Sequence, residues 1–154
     1  MIAYAKAKLS DIPAMMALVG QEVKDGIILE RTEDEVSTNI RSYLLAKEGT
    51  KLVGYAALHV HSVRLGEIRS LIVDADYRGK NVGKELVLSS LREAKDLEIQ
   101  EEVLVLTYLP QFFEKMNFVE MNKEEIPEHK IWLDCIKCIH FPVCNEVALV
   151  YKMK

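Results

Sequence analysis

The chain has 154 residues, a net charge of −4 and a pI near 5.6, and this length suits one domain that buries about two thirds of its unfolded surface. The acidic balance and an aromatic content of 7% disfavour nucleic-acid binding, which usually requires a basic face or aromatic stacking platforms. No apolar run is long enough to cross a bilayer, and the N-terminal residues lack the features of a secretory signal, so we expect a cytoplasmic protein with neither a membrane nor a nucleic acid as partner.

Local patterns divide the first half of the chain into strands and helices. Ser10 or Asp11 is positioned to cap a first helix that has Pro13 in its first turn. Thr32 and Glu35 form a capping-box pattern, which predicts the start of a second helix. The predicted elements are a strand over 2–7, a helix with apolar residues between 12 and 19, a helix from 33 to about 41, and strands over 43–46, 52–60 and 67–73, the first two of these joined by a hairpin turn at 48–51.

The second half of the chain alternates helices and strands. Its predicted elements are a helix over 83–95, a strand over 102–107, a short helix over 110–116, and strands over 118–121 and 147–151. Because three consecutive strands precede this alternation, a purely doubly wound sheet is excluded. The sequence therefore predicts one α/β (α+β) domain over residues 1–154, with a mixed, mostly antiparallel central sheet and helices on both faces. In the strand over 67–73, alternation puts Glu67, Arg69, Leu71 and Val73 on one face and Ile68, Ser70 and Ile72 on the other.

The loop between this strand and the next helix has the features of an anion site. Gly79 and Gly83 lack side chains that would keep a ligand from the backbone, and Asn81 tolerates a positive φ. Arg78 adds a fixed positive charge. The first turn of a helix also offers N–H groups without intrahelical partners and the positive end of the helix dipole. An ordinary strand–loop–helix connection is the alternative.

The same loop carries a family resemblance. Arg78-Gly79-Lys80-Asn81-Val82-Gly83 resembles the signature of the GNAT acetyltransferases, which is Arg or Gln, two residues, Gly, one residue, then Gly or Ala, with Asn81 where Gly is usual. Residues 112–118 resemble the family's aromatic–Glu–Lys–x–Gly–Phe segment, with Asn117 in the Gly position. Residues 67–71, 106–108, 126–127, 130–132 and 144–149 are similar to the short, stand-alone N-acetylglutamate synthases of bacterial arginine biosynthesis.

The resemblance implies a GNAT fold that uses acetyl-CoA as co-substrate and transfers its acetyl group to the α-amine of L-glutamate. The pyrophosphate would lie on the N–H groups of the loop, and the pantetheine arm would pair along the end of the preceding strand, where two strands splay. The implied cofactor-binding residues are Leu71, Ile72, Val73, Arg78, Gly79, Lys80, Asn81, Val82, Gly83 and Lys84.

The acceptor amine is mostly protonated at neutral pH, so a base has to remove a proton before it attacks. We assign this role to Glu67, with a surface carboxylate as the alternative. Many members of the family protonate the leaving thiolate with a tyrosine in the helix after the fifth strand, but Phe112 and Phe113 occupy that helix here. Tyr108 is the nearest substitute, and a half-buried core tyrosine is its alternative.

An amino-acid acceptor with two carboxylates requires bidentate cations, for which arginine is suited. The resemblance also implies that the thioester carbonyl meets a backbone N–H near Leu71. Arg69 lies on the strand that leads to this position, and Arg31 lies in a segment resembling the substrate side of these synthases. With Ser70, they form the predicted substrate-binding set, although each arginine has nearby glutamates as alternative partners.

Cys135, Cys138, His140 and Cys144 are a candidate zinc set, but their spacing is cramped, so we expect thiols and no metal. His59, His61 and His129 show no ligand spacing and are interpreted as structural.

Two functional alternatives stay open. One is a GNAT enzyme with another acceptor, such as glutamine, a polyamine or a protein N-terminus. The other is a non-catalytic sensor that binds acyl-CoA. A homodimer is compatible with the sequence but not required by it.

Overall fold

A computed structural model describes residues 1–26, 28, 30–122, 125 and 146–153. Within them, seven strands form one sheet in the order β1-β2-β3-β4-β5-β7-β6. The strands are β1 (Ile2–Lys6), β2 (Tyr43–Glu48), β3 (Lys51–Val60), β4 (Leu65–Val73), β5 (Glu102–Thr107), β6 (Val119–Glu120) and β7 (Val147–Lys152). Neighbouring strands are antiparallel except for β4 and β5, which are parallel. The prediction of a mixed, mostly antiparallel sheet is confirmed.

The described residues also contain four α-helices, α1 (Ile12–Lys24), α2 (Glu33–Thr38), α3 (Val82–Asp96) and α4 (Pro110–Glu114), and 3₁₀ turns at Leu9–Asp11, Ile40–Ser42 and Ala75–Tyr77. The predicted capping box is confirmed, since Thr32 Oγ1 accepts from the N–H of Glu35 and the Glu35 carboxylate accepts from the N–H of Thr32, both at 3.1 Å. However, α2 ends before Arg41 because Asn39 leaves the helical conformation and a 3₁₀ turn follows.

Asp11 precedes α1 but does not cap it with its side chain. Its carboxylate instead accepts from the N–H of Lys8 at 2.8 Å and from the ammonium of Lys47 on β2 at 2.7 Å. This arrangement ties the start of α1 to the sheet.

Helices cover both faces of the sheet, as predicted. On one face, α3 packs against a large cluster that includes Val53, Ile68, Leu86, Val103 and Phe118. On the other face, α1 and α2 cover the β2–β3–β4 region through a second cluster that includes Met15, Val36, Leu45, Tyr55 and Ile72. The sheet, with β4 and β5 near its middle, thus lies between α3 on one side and α1 and α2 on the other.

A bulge in β4 overturns the simple alternation expected for this strand. Tyr55 pairs with Ile72 but Ala57 pairs with Arg69, so one extra residue lies on β4 between these pairs. Ser70, at this point, has φ +58°. Consequently Ile68 packs in the α3-side cluster and Ile72 in the α1-side cluster, although strict alternation predicts that the two share a face.

The parallel pair β4–β5 separates partway along its length. Its pairs run from Leu65 with Glu102 to Glu67 with Leu104, and within the described residues none follows. Both strands nevertheless continue, β4 to Val73 and β5 to Thr107. The far half of β4 therefore has an edge that β5 does not cover, as the sequence predicted.

Gly54 on β3 is required where the sheet and α3 approach each other. A β-carbon there would lie 2.9 Å from the backbone oxygen of Ile72, which is closer than β-carbons approach other atoms in real proteins.

Gly54→Ala should therefore destabilise the protein by about 1–3 kcal/mol, measured by urea unfolding. Gly20→Ala in the middle of α1 is the matched control, because its β-carbon meets no described atom within 4 Å beyond the helix itself. That change should stabilise by ~0.5–1 kcal/mol through helix propensity. Equal effects of the two substitutions would show that position 54 has room for a β-carbon.

Candidate active site

The loop after β4 is anchored through Tyr77. Its ring is almost buried, and its hydroxyl donates to the carboxylate of Glu48 at 2.7 Å. The ammonium groups of Lys51 and Lys80 each lie 5.0 Å from the centre of the ring. The hydrogen bond from Tyr77 also holds the pKa of Glu48 below its usual range. Tyr77 therefore fixes the loop to the β2–β3 hairpin, a role that the sequence pattern did not predict.

The loop then presents backbone N–H groups at the start of α3. Gly79 has φ +80° and Asn81 has φ +65°, so the position that usually carries Gly in the GNAT signature is left-handed here, and Asn81 adopts it. The N–H of Glu85 donates to the carbonyl of Asn81 at 3.0 Å, and the N–H groups of Val82, Gly83 and Lys84 precede this bond. A fifteen-residue helix places its positive end at the same point.

Three residues of the loop make contacts that the sequence pattern did not predict. A β-carbon on Gly83 would lie 3.4 Å from the ring of Phe112 and 3.6 Å from Val73, which are ordinary van der Waals distances, so this ring and the end of β4 lie close beside the start of α3. The Lys80 ammonium lies over Tyr77. The Arg78 side chain is 60% exposed, and its guanidinium lies 3.5 Å from the carboxylate of Glu22 on α1.

A cavity of about 310 Å³ lies on the α1 face of the sheet. Its wall along α1 is apolar apart from Lys24, and its lining also includes Glu30, Arg31, Ser70, Tyr43 and Tyr55. The rings of Tyr43 and Tyr55 meet edge to face with centroids 5.8 Å apart. The fold thus brings Arg31 and Ser70 to one cavity, although they are 39 positions apart in the sequence.

Tyr43 connects this cavity to Arg69. Burial raises the pKa of the Tyr43 phenol, and the charges of Arg31 and Arg69 and a hydrogen bond with Ser70 act in the opposite direction. Of the three predicted substrate-binding residues, Ser70 thus hydrogen-bonds to this hydroxyl, while Arg31 and Arg69 act on it through their charge. Sequence reasoning missed Tyr43 and Tyr55, because only the register of β2, β3 and β4 reveals that they share a face with Arg69.

Glu67 is 2% exposed, so the alternative interpretation as a surface carboxylate is wrong. Its Oε1 lies 2.8 Å from Nε2 of His61. On the same strand, the guanidinium of Arg69 lies 3.1 Å from Nδ1 of His59, and the two imidazole rings meet edge to face with centroids 4.6 Å apart. These four side chains form one connected polar group at the point where β4 and β5 separate.

Tyr108 directly follows β5. It is 38% exposed, a value that fits a half-buried tyrosine as well as a proton donor. Its position at the end of β5, beyond the last pair that this strand makes with β4, puts it on the β5 side of the opening.

Among the described residues, no group of three or more His, Cys, Asp or Glu side chains is placed to hold a metal ion. Cys135, Cys138, His140 and Cys144, and also His129, lie outside the described residues. In the described part of the chain, no helix is long and apolar enough to span a membrane.

Residues 16–118 match the family model described as Acetyltransferase (GNAT) family. The chain belongs to the GNAT family of acetyltransferases. It is 33% identical over 144 residues to an uncharacterised N-acetyltransferase of Chlorobaculum tepidum, covering 94% of this chain and 92% of that one. It is 34% identical over 120 residues to the amino-acid acetyltransferase of Mycobacterium tuberculosis, covering 76% of this chain and 68% of the relative.

The fold also matches a solved structure, N-acetylglutamate synthase of Neisseria gonorrhoeae in complex with coenzyme A and N-acetyl-glutamate. The TM-score is 0.89 at 22% identity, over all of this chain and 35% of the longer one. The predicted GNAT fold is confirmed. The protein is thus an acetyl-CoA-dependent N-acetyltransferase of the GNAT type.

The buried phenols of this site predict a loss of stability at alkaline pH. Burial raises the pKa of Tyr55 above its usual value of 10.0, so the unfolded chain releases this proton first as the pH rises. The stabilising contribution is complete below about pH 10 and is lost above it. Tyr55→Phe should therefore lose less stability than the wild type between pH 8 and pH 10.5, as measured by urea unfolding. An equal loss of stability in both proteins would contradict a raised pKa of Tyr55 in the folded state.

Proposed function

We propose that this N-acetyltransferase transfers the acetyl group of acetyl-CoA to the α-amine of L-glutamate, in the cytoplasm, as a step of arginine biosynthesis. The observation that carries the proposal is that Arg31 and Ser70 line one cavity, whose Tyr43 also feels the charge of Arg69. The carboxylate of Glu67, two residues before Arg69 on the same strand, is buried. The similarity to an amino-acid acetyltransferase at 34% identity supports the same acceptor class.

In this proposal the pyrophosphate of acetyl-CoA lies on the loop residues Arg78, Gly79, Lys80, Asn81, Val82, Gly83 and Lys84. The N–H groups at the start of α3 receive the phosphate oxygens. The pantetheine arm extends along Leu71, Ile72 and Val73, where β4 is no longer paired with β5, and takes the place of a strand. The acetyl thioester then lies near the bulge.

The bulge supplies the group that would stabilise the developing negative charge. An extra residue in a strand leaves a backbone N–H outside the regular ladder, and the bulge of β4 lies at Ser70 and Leu71. A backbone N–H of Leu71 directed at the thioester oxygen would act as an oxyanion donor, and such donors contribute a large part of the catalysis of acyl transfer.

Two residues, one on each side of the opening, transfer the protons. Glu67 takes a proton from the ammonium of the acceptor, directly or through a water molecule, and the free amine attacks the thioester carbon. This attack forms the C–N bond and gives a tetrahedral intermediate, which breaks the C–S bond as it collapses. Tyr108 donates a proton to the departing CoA thiolate and regains one from the nitrogen as the amide forms, and Glu67 releases its proton to solvent.

The cavity favours a small anionic acceptor. Arg31 and Arg69 provide cationic partners for the two carboxylates of glutamate, and the apolar wall from α1 accommodates its methylene groups. The neutral hydroxyl of Tyr43 is a further donor. A polyamine, in contrast, would place its positive charges against the two arginines.

Release of free CoA, followed with a thiol reagent, tests the function directly. Each reaction contains acetyl-CoA and a single acceptor from a panel of L-amino acids, polyamines and an N-terminal peptide. We expect release with L-glutamate well above the blank without acceptor. Release with glutamine, a polyamine or the peptide but not with L-glutamate would identify that compound as the acceptor instead of glutamate. Acetyl-CoA binding without release for any acceptor would instead identify a sensor.

Gly79→Ala should raise the acetyl-CoA KM because a left-handed backbone with a side chain displaces the N–H groups of the loop. Gly49→Ala is a matched control, since Gly49 has φ +62° in the β2–β3 turn, and both positions leave open space for a β-carbon. Both variants should lose ~1 kcal/mol of stability from backbone strain. Steady-state kinetics should show an acetyl-CoA KM at least about fivefold higher for Gly79→Ala. An equal KM for the two variants would remove the loop from the cofactor site.

Arg69→Ala should raise the glutamate KM by about tenfold or more, because a charged hydrogen-bonding partner of the carboxylate is lost. The acetyl-CoA KM should stay within about twofold, since the cofactor does not contact this guanidinium. Arg92→Ala is the control, since Arg92 pairs with Glu85 on the exposed side of α3. Equal increases in both KM values for Arg69→Ala would place Arg69 outside the acceptor site.

A further inference from the structure

The two histidines beside the proposed base and the proposed carboxylate-binding arginine are not assigned a function by the proposed mechanism. We propose that His59 and His61 are positioning residues of the acceptor site, His59 for the guanidinium of Arg69 and His61 for the carboxylate of Glu67. The inference rests on the proposed function, because it uses the roles given there to Glu67 and Arg69.

The pairing of atoms determines what His59 does. The guanidinium of Arg69 carries only donors, so Nδ1 of His59, at 3.1 Å, has to accept the hydrogen bond. His59 is therefore neutral and carries its proton on Nε2. In this state the imidazole fixes one N–H of the guanidinium and with it the orientation of the whole group. Arg69 has a long, flexible side chain, and a fixed orientation reduces the entropy lost when the carboxylate binds.

His61 has the complementary role. An ionised carboxylate only accepts hydrogen bonds, so the imidazole donates from Nε2 to Oε1 of Glu67 at 2.8 Å. The side chains of His61 and Glu67 are 0% and 2% exposed, which restricts the carboxylate to one rotamer. The carboxylate then keeps one position beside the opening between β4 and β5, where the acceptor amine would approach.

The two histidines also support each other. His59 pairs with Glu67 across β3 and β4, and its ring meets that of His61 edge to face at 4.6 Å. The base and the arginine are thus held at a fixed separation by two rings in edge-to-face contact. An α-amino acid carries its amine and its carboxylate on the same carbon, so it requires such a fixed separation, whereas a simple amine does not.

Amide substitutions can test the two roles separately. The side-chain oxygen of Asn lies the same number of bonds from Cβ as Nδ1 of His, and the amide nitrogen of Gln the same number as Nε2. His59→Asn retains an acceptor for Arg69, and His61→Gln retains a donor for Glu67. His59→Gln and His61→Asn remove the matching atom while keeping an amide at each position. Val60→Ala, between the two histidines and half exposed, controls for general disturbance of the strand.

We expect His59→Gln to raise the acceptor KM about tenfold with little change in kcat, and His59→Asn to stay within about threefold of the wild type. His61→Asn should lower kcat about tenfold, with the acceptor KM nearly unchanged, and His61→Gln should retain most of the activity. The acetyl-CoA KM should be the same in all four variants and in Val60→Ala. Equal effects of Asn and Gln at position 59 would overturn the role of His59, and equal effects at position 61 would overturn that of His61.

A second measurement does not depend on variants or on turnover. Long-range ¹⁵N–¹H correlations of the ¹⁵N-labelled wild-type protein report which imidazole nitrogen carries a proton. We expect an unprotonated Nδ1 in His59 and a protonated Nε2 in His61. A protonated Nδ1 in His59, or an unprotonated Nε2 in His61, would overturn the inference even if the His61 variants fail to fold. Absence of turnover with every amino acid, with both tautomers as expected, would instead overturn the proposed acceptor class.

Discussion

The pairing of β4 with β5 ends at Glu67 and Leu104, while each strand keeps its other neighbour to its last residues. β5 pairs with β7 from Glu102 to Thr107, and β4 stays paired with β3 as far as Val73. Since each strand follows a different partner, the two diverge. The rest of the site depends on this divergence, because it opens an edge of β4 to an extended ligand, places Glu67 at the fork, and directs the end of β4 into the loop before α3.

The bulge at Ser70 adds a second constraint. Before it, Glu67 and Arg69 lie with His59 on the face that α1 and α2 partly cover. After it, the inward and outward positions exchange, so that Ile72 packs under α1 while Leu71 and Val73 pack against the α3-side cluster. A single extra residue thus allows one strand to carry polar site residues first and apolar residues for both layers afterwards.

Burial of the polar group at the fork is possible because its members are hydrogen-bonded to one another. A buried carboxylate without a partner is costly, but Glu67 has His61 at 2.8 Å. Arg69 has His59 at 3.1 Å. The negative charge of Glu67 and the positive charge of Arg69 also lie on the same strand, two residues apart. The arrangement keeps a base and a cation in fixed positions within a mostly apolar surrounding.

The loop and the short segment after α4 show how a family pattern is retained with different residues. Asn81 and Asn117 stand where the resembled motifs have Gly, and both have a positive φ, of 65° and 72°. Asn is one of the few residues other than Gly that adopts this conformation readily. The left-handed backbone at these positions is therefore preserved without Gly, and α3 still begins at Val82.

The sequence by itself determined the elements, the class of sheet and the loop before α3, because these depend on short-range patterns such as the Thr32–Glu35 capping box, the hairpin turn at 48–51 and the glycines before α3. It also indicated Glu67, Arg31, Arg69 and Ser70 through a family resemblance. Only the tertiary structure revealed the bulge, Tyr43 and Tyr55 in the cavity, Tyr77 under the loop, and the pairing of His59 and His61 with Arg69 and Glu67. These features depend on strand register and on contacts between residues far apart in the chain, and a shift of one residue in register changes which side chains share a face.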